Sequence, residues 1–194
     1  MRAAVVTLMV ACIGATGGCT SKPKPAPNPP PGSGVGVQVT IAAAKAEFAV
    51  GEPVVLHVRL TNVESGPCQI LQGPDGALTI LDARRDGVAL VPAFSTGTYI
   101  DGMASYLRRN LAEVKPAASV SYDLVSEQSA PAGDRSALET STLDASNQSN
   151  STYWAVDEPG RYEFAVRYLP APVTSRLCHA SGDPVSVSFA VLGG

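Results

Sequence analysis

Charge is scarce in this chain of 194 residues: 16% of positions are Asp, Glu, Lys or Arg, and 17 acids stand against 14 bases. The Lys and Arg residues form no block, so there is no electrostatic footprint for nucleic acid, whose affinity rests largely on basic side chains meeting phosphates. Aromatics make up only 6%, and just two histidines are present, His57 and His179. No HExxH, GxSxG, Walker or dinucleotide-binding signature occurs, so the expectation is a non-enzymatic protein that needs no cofactor and no metal. Long apolar runs are missing too, except one at the extreme N-terminus, which excludes a polytopic helical membrane protein.

That N-terminal run has the layout of an export signal. Met1-Arg2 is a minimal positive region, Ala3 to Ala15 is apolar, and the small residues Thr16-Gly17-Gly18 lead into Cys19. The junction resembles the lipobox of bacterial lipoproteins, although Thr16 stands where that family usually has Leu. The resemblance implies removal of residues 1–18 and acylation of Cys19, a multi-chain anchor of the kind stable membrane attachment requires. A plain signal peptide cut nearby is the alternative, since the run is too short for a transmembrane helix. Thr20, not Asp, follows Cys19, which under the enterobacterial sorting pattern points to the outer membrane or cell surface.

Residues 19–36 form the next unit. Six prolines fall within Thr20 to Pro31, and no apolar side chain there exceeds valine in size. Such a segment cannot bury enough surface to fold, and its prolines favour an extended spacer. It reads as a tether holding the remainder, 37–194, away from a bilayer.

From Val35 onward the apolar residues recur at every second position. Val37, Val39 and Ile41 alternate with Gln38 and Thr40; Val54, Leu56, Val58 and Leu60 share one face, and His57 and Arg59 the other. Tyr162, Phe164, Val166 and Tyr168 repeat the pattern, as do Val120, Tyr122 and Leu124, and Val185, Val187, Phe189 and Val191. A period of two marks half-buried strands. Between them lie turn signals: Gly51-Glu52-Pro53, Asp86-Gly87, Lys115-Pro116 and Pro159-Gly160. At least six such strands and no sustained helical period predict an all-β protein, an antiparallel Ig-like β-sandwich, with a barrel as the lesser alternative.

Two stretches resist the pattern. Ile100, Met103, Leu107 and Leu111 have helical spacing, but Gly102 would interrupt a helix, so a strand or irregular loop is expected there. Residues 126–152 are polar and rich in Ser and Asn, and read as an insertion that is functional or unstructured. Ser136 and Glu139 have capping-box spacing, which allows one short helix within it.

Cys12 would leave with the signal and Cys19 would carry lipid, so the folded part keeps Cys68 and Cys178. In an exported protein two cysteines read as a disulfide; a metal or redox pair lacks CxxC spacing and has only His179 nearby. Asp82, Asp86 and Asp101 would have to converge to bind calcium, and solvated turn acids are the simpler reading. Asp157-Glu158 reads as turn chemistry. Tyr153 and Trp154 are the candidate binding surface, an aromatic platform for glycan or peptide, with core packing as the competing reading.

The stretch Phe48 to Asn62, with Gly51-Glu52-Pro53 leading into a strand ending Leu60-Thr61-Asn62, resembles the opening strand pair of bacterial Ig-like domains. Asp86-Gly87, Asp101-Gly102, the Lys115-Pro116 turn and Glu158-Pro159-Gly160-Arg161-Tyr162 follow in an order similar to the non-catalytic sandwich module of secreted deuterolysin and peptidyl-lysine metallopeptidases. The chain lacks their catalytic domain and zinc motif, so the resemblance carries over no functional residue. The expected function is a lipid-anchored protein of the bacterial cell envelope, bound to the membrane through its N-terminal lipid, that acts as a binding module for an envelope protein partner. The alternative implied by the resemblance is a protease-associated accessory or inhibitor domain.

Overall fold

The computed structural model describes residues 36–99, 102–128, 135–144 and 148–193. The expected signal peptide, Cys19, most of the tether, and Ile100 and Asp101 lie outside the described residues. The fold is an all-β sandwich.

Three strands, β1 (Val37–Ala43), β3 (Val55–Asn62) and β9 (Ser119–Val125), form one antiparallel sheet in the order β1-β3-β9. A second sheet has the order β2-β14-β13-β5-β6, from β2 (Glu47–Ala49), β14 (Val185–Leu192), β13 (Gly160–Tyr168), β5 (Leu78–Arg85) and β6 (Val88–Ala89). All its pairs are antiparallel except β14 with β2. The residues that alternate in the sequence are those turned inward: Val37, Val39 and Ile41 from β1, Leu56, Val58 and Leu60 from β3, with Tyr162, Phe164, Val166 and Tyr168 opposite them. Tyr162, Phe164 and Phe189 stack with centroids 5.4 to 6.3 Å apart, and Phe48 meets Phe189 edge-on at 5.6 Å. Rings in such arrangements contribute beyond their buried area, by about 0.5–1.5 kcal/mol per pair.

A bulge keeps β5 in phase with β13. Ile80 lies opposite Val166 and Asp82 opposite Ala165, so Leu81 is an extra residue with no partner of its own. Leu78 and Ile80 face inward before it, Ala83 after it, and Leu81 is left half exposed. One inserted residue shifts the alternation by one position, which is how a bulge re-aims a strand. The Asp86-Gly87 turn joins β5 to β6 as expected, with Asp86 at φ 51° and Gly87 at φ 79°.

The two stretches that resisted the strand pattern are ordered differently from expectation. In place of a strand or irregular loop through Ile100 to Leu111, the chain makes β7 (Phe94–Tyr99) and then α1 (Met103–Arg109). Gly102 does not interrupt this helix; it precedes it, at φ 79°, a conformation glycine adopts without steric cost. Leu107 anchors α1 in the core and Arg108 and Arg109 occupy its last turn, where cations favour the helix dipole. The polar stretch 126–152 is neither a loop excursion nor a helix in its described part. It supplies β10 (Glu127–Gln128), β11 (Ser136–Leu143) and β12 (Gln148–Ala155), which with β7 form an antiparallel sheet in the order β10-β11-β12-β7. Its alternation is hidden because Ser136, Thr140, Ser141 and Ser149 are buried alongside Leu138, Leu143 and Trp154. Hydrogen bonds meet the cost of burying hydroxyls: Ser136 Oγ donates to Ser126 Oγ at 2.8 Å, and Ser141 Oγ to Asp75 Oδ1 at 3.1 Å. The remaining pair, β4 (Cys68–Leu71) with β8 (Leu111–Val114), closes one end.

The strand registers define two poles. At the first, Gly36 enters the fold: its carbonyl accepts the Val63 N–H at 3.2 Å, and a Cβ on it would lie 2.4 Å from the Ala180 carbonyl oxygen. Asn62, Cys68, Cys178 and the end of β13 lie at this pole. The opposite pole gathers the Gly51-Glu52-Pro53 turn, the end of β9, the Asp86-Gly87 turn, Pro159 and the end of β14.

Candidate functional site

The described residues that the sequence singled out each have a defined place. Cys68 and Cys178 form a disulfide, with Cα atoms 5.0 Å apart and a sequence separation of 110. Backbone pairing positions both partners: Cys68 faces Val114 across β4 and β8, and the Cys178 N–H donates to the Gln69 carbonyl at 3.0 Å. Beside the bridge, Glu64 Oε1 takes the His179 backbone N–H at 2.7 Å and lies 2.9 Å from His179 Nδ1.

Tyr153 and Trp154 are corrected by the structure. Both are buried, with 7% and 9% of their surface exposed, so they do not form an exposed aromatic platform. Successive strand residues point to opposite faces, and here both faces are covered. Trp154 belongs to the main core with Leu138 opposite it, while Tyr153 packs on Ala137 and, at 5.9 Å, on Phe94. Burial, together with a hydrogen bond to Glu139 Oε1 at 2.9 Å, pushes the Tyr153 hydroxyl up to about 12.

The remaining titratable candidates are tied into local pairs. His57 stays on the solvent face of β3, with its Nδ1 2.7 Å from Asp123 Oδ1. Asp82 accepts from Arg84 Nε at 2.8 Å, and Asp86 Oδ1 from the Arg161 N–H at 2.8 Å, so neither is directed at a common cation site. Asp157 and Glu158 share Arg135, and Glu158 also pairs with Arg85. The Arg135 guanidinium holds the Asp157 carboxyl below the usual carboxylate range. Tyr162 Oη, donating to the Glu158 carbonyl at 2.8 Å, pins this turn to the core.

Two features emerge that no single stretch of sequence shows. The first is a recess of about 180 Å³ where the edges of β9 and β11 diverge, floored by Leu124 and Ala137. Asp75, Asp123, Glu127 and Glu139 line it and, among the described residues, no basic side chain does, which makes the lining acidic. Beneath the same region Tyr122 has a buried hydroxyl without a partner among the described residues, and burial pushes its ionisation far upward. The second feature lies at the pole opposite Gly36, where Val50, Leu192 and Val125 remain exposed. The Val50 N–H donates to the Leu192 carbonyl at 3.2 Å, and Gly51 and Pro53 line a shallow groove with Val125. One apolar strip therefore crosses that pole, edged by Lys45, Glu47, Glu52 and Glu127.

No protein-family model matches this chain, and no curated protein is significantly similar to it. The likeness to the deuterolysin-type sandwich module therefore rests on the turn and strand motifs alone.

Sequence reasoning missed both features for the same reason. The recess draws its acids from a turn, β9, β10 and β11, and the strip draws its valines and leucine from three separate strand ends. Within each segment these residues look like ordinary turn or edge positions. The exposed Leu192 carried one signal, in that it follows Val191 and breaks the alternation at the end of β14, whereas Val50 continues the period of Phe48 and carried none. Among the described residues no helix is long and apolar enough to cross a membrane.

Proposed function

We propose that this protein is a lipid-anchored component of the bacterial cell envelope, acting as a non-enzymatic interaction module that meets an envelope protein through the pole carrying Val50, Val125 and Leu192. The single observation that supports the reading is the placement of these exposed apolar side chains at the end of the sandwich remote from Gly36, where the tether joins. A chain held at Cys19 by a proline-rich spacer presents that end outward. Exposed apolar surface rimmed by charge is the composition of protein interaction sites. The β2 edge beside it is closed to uncontrolled strand addition, because Glu52 accepts the Ala49 N–H at 3.0 Å and returns its own N–H to the Ala49 carbonyl at 3.0 Å. Contact through the side chains of the strip is therefore the mode expected.

Site-specific photo-crosslinking in cells tests this. A photoreactive residue at Val50, Val125 or Leu192 is expected to give one reproducible envelope adduct that Cys19→Ser abolishes. The same residue at Tyr106 or Leu169, near the other pole, is expected to give none. Equal capture from both poles, or none from the strip, refutes the assignment.

A further inference from the structure

We propose that the Cys68–Cys178 corner is a zinc site in its reduced form, with Cys68 Sγ, Cys178 Sγ and the Glu64 carboxylate as the protein ligands. One oxygen of Glu64 and the two sulfurs all lie within 4.8 Å of one another. Zinc takes thiolate sulfur at about 2.3 Å and carboxylate oxygen at about 2.0–2.2 Å in a tetrahedron, which sets two sulfurs on one ion about 3.8 Å apart. Cysteines whose Cα atoms are 5.0 Å apart reach that separation by side-chain rotation.

Backbone contacts shape the corner alongside the S–S bond. Cys68 is held by the β4–β8 pairing. Cys178 is held by its N–H to Gln69 O at 3.0 Å, and the Gln69 N–H in turn donates to Arg176 O at 2.8 Å. Glu64 is held from both sides. Its N–H donates to Asn62 Oδ1 at 2.8 Å, and Asn62 is fully buried with its Nδ2 donating to Gly66 O and Val114 O, both at 2.9 Å. His179 then engages Glu64 Oε1 through its backbone N–H and lies beside it through its ring. Carboxylate ligands in metal sites are oriented by such hydrogen bonds. Water, or the exposed His179 ring after rotation, completes the tetrahedron.

The chemistry balances with a dithiol reductant. The dithiol passes two electrons and two protons to the protein disulfide, leaving two thiols and its own disulfide, and each protein thiol releases its proton to solvent as Zn²⁺ binds. Bridge and metal therefore exclude one another, and bound zinc shields both sulfurs from a thiol oxidant.

The test uses the full chain carrying Cys12→Ser and Cys19→Ser, so that no other thiol is present. After anaerobic reduction with a phosphine, titration with Co²⁺ is expected to give a sulfur-to-cobalt charge-transfer band saturating at one equivalent and displaced by Zn²⁺. The oxidised chain is expected to give none. Glu64→Gln is expected to weaken Zn²⁺ affinity tenfold or more, the size of effect typical for altered ligand shells. Far-ultraviolet circular dichroism follows the fold throughout; if reduction unfolds the chain, Zn²⁺ is expected to restore the β signal in a Glu64-dependent way. A reduced chain that binds no stoichiometric metal, or a Glu64→Gln variant that binds as tightly as the parent, overturns the proposal.

Discussion

Replacing both bridge cysteines by alanine tests how the pole at Gly36 is held. The bond spans 110 residues, so in the chain-entropy account it removes about 16 cal/mol/K from the unfolded ensemble, or about 5 kcal/mol at 25 °C. Both residues are buried, and deleting each sulfur adds about 1 kcal/mol for the space left behind. The expected loss for Cys68→Ala with Cys178→Ala is therefore about 5–7 kcal/mol. For a domain of this size that corresponds to a fall in Tm of at least 10 °C. Guanidinium unfolding of the oxidised parent and the double variant measures it, the denaturant slope reporting whether the unfolded state has also changed. A loss under about 2 kcal/mol refutes the reasoning. It would mean that the β4–β8 pairing and the Gln69–Cys178 backbone contacts already confine this corner as tightly as the bond does.

Two further outcomes follow from the geometry. Gly36→Ala should cost about 2–3 kcal/mol, because φ is +95° and the new Cβ would lie 2.4 Å from Ala180 O and 2.9 Å from His179 O. Gly66→Ala, with nothing within 4 Å, should change stability little; equal denaturation midpoints for both variants would contradict the clamp at Gly36. Tyr153 is held neutral up to about pH 12, against about 10 in an unfolded chain, so its contribution is complete below pH 10 and lost as pH rises through 12. The drop in denaturation midpoint between pH 9 and pH 11.5 should accordingly be smaller in Tyr153→Phe than in the parent, and an identical drop in both would refute the assignment.

Legibility followed side-chain size. Strands β1, β3, β13 and β14 could be read directly because their inward positions hold Val, Leu, Ile, Phe and Tyr while Ser, Thr, Arg or Glu face water. In β11 and β12 the buried positions include Ser136, Thr140, Ser141 and Ser149, and hydroxyl partners such as Ser126 and Asp75 come from distant segments. No local pattern reveals those partners, and the capping-box spacing of Ser136 and Glu139 pointed to a helix where Glu139 instead accepts the Tyr153 hydroxyl. Gly102 misled in the opposite direction: a glycine is costly inside a helix and favourable just before one, and only the backbone conformation separates the two cases. Tyr153 and Trp154 look alike in sequence to an exposed aromatic pair, and the core under Trp154 together with the cross-strand neighbours Ala137, Glu139 and Phe94 around Tyr153 decides otherwise.

The sequence by itself determined the β class, the turns at Gly51, Asp86 and Gly160, and the cysteine pair available for a bridge. Those properties are local, or follow from counting. Only the tertiary structure decided which acids share a recess, that Glu64 stands against the bridge, and that Val50, Val125 and Leu192 meet at the pole away from Gly36. Each of these depends on strands far apart in the chain arriving side by side, and their register is set by the whole core.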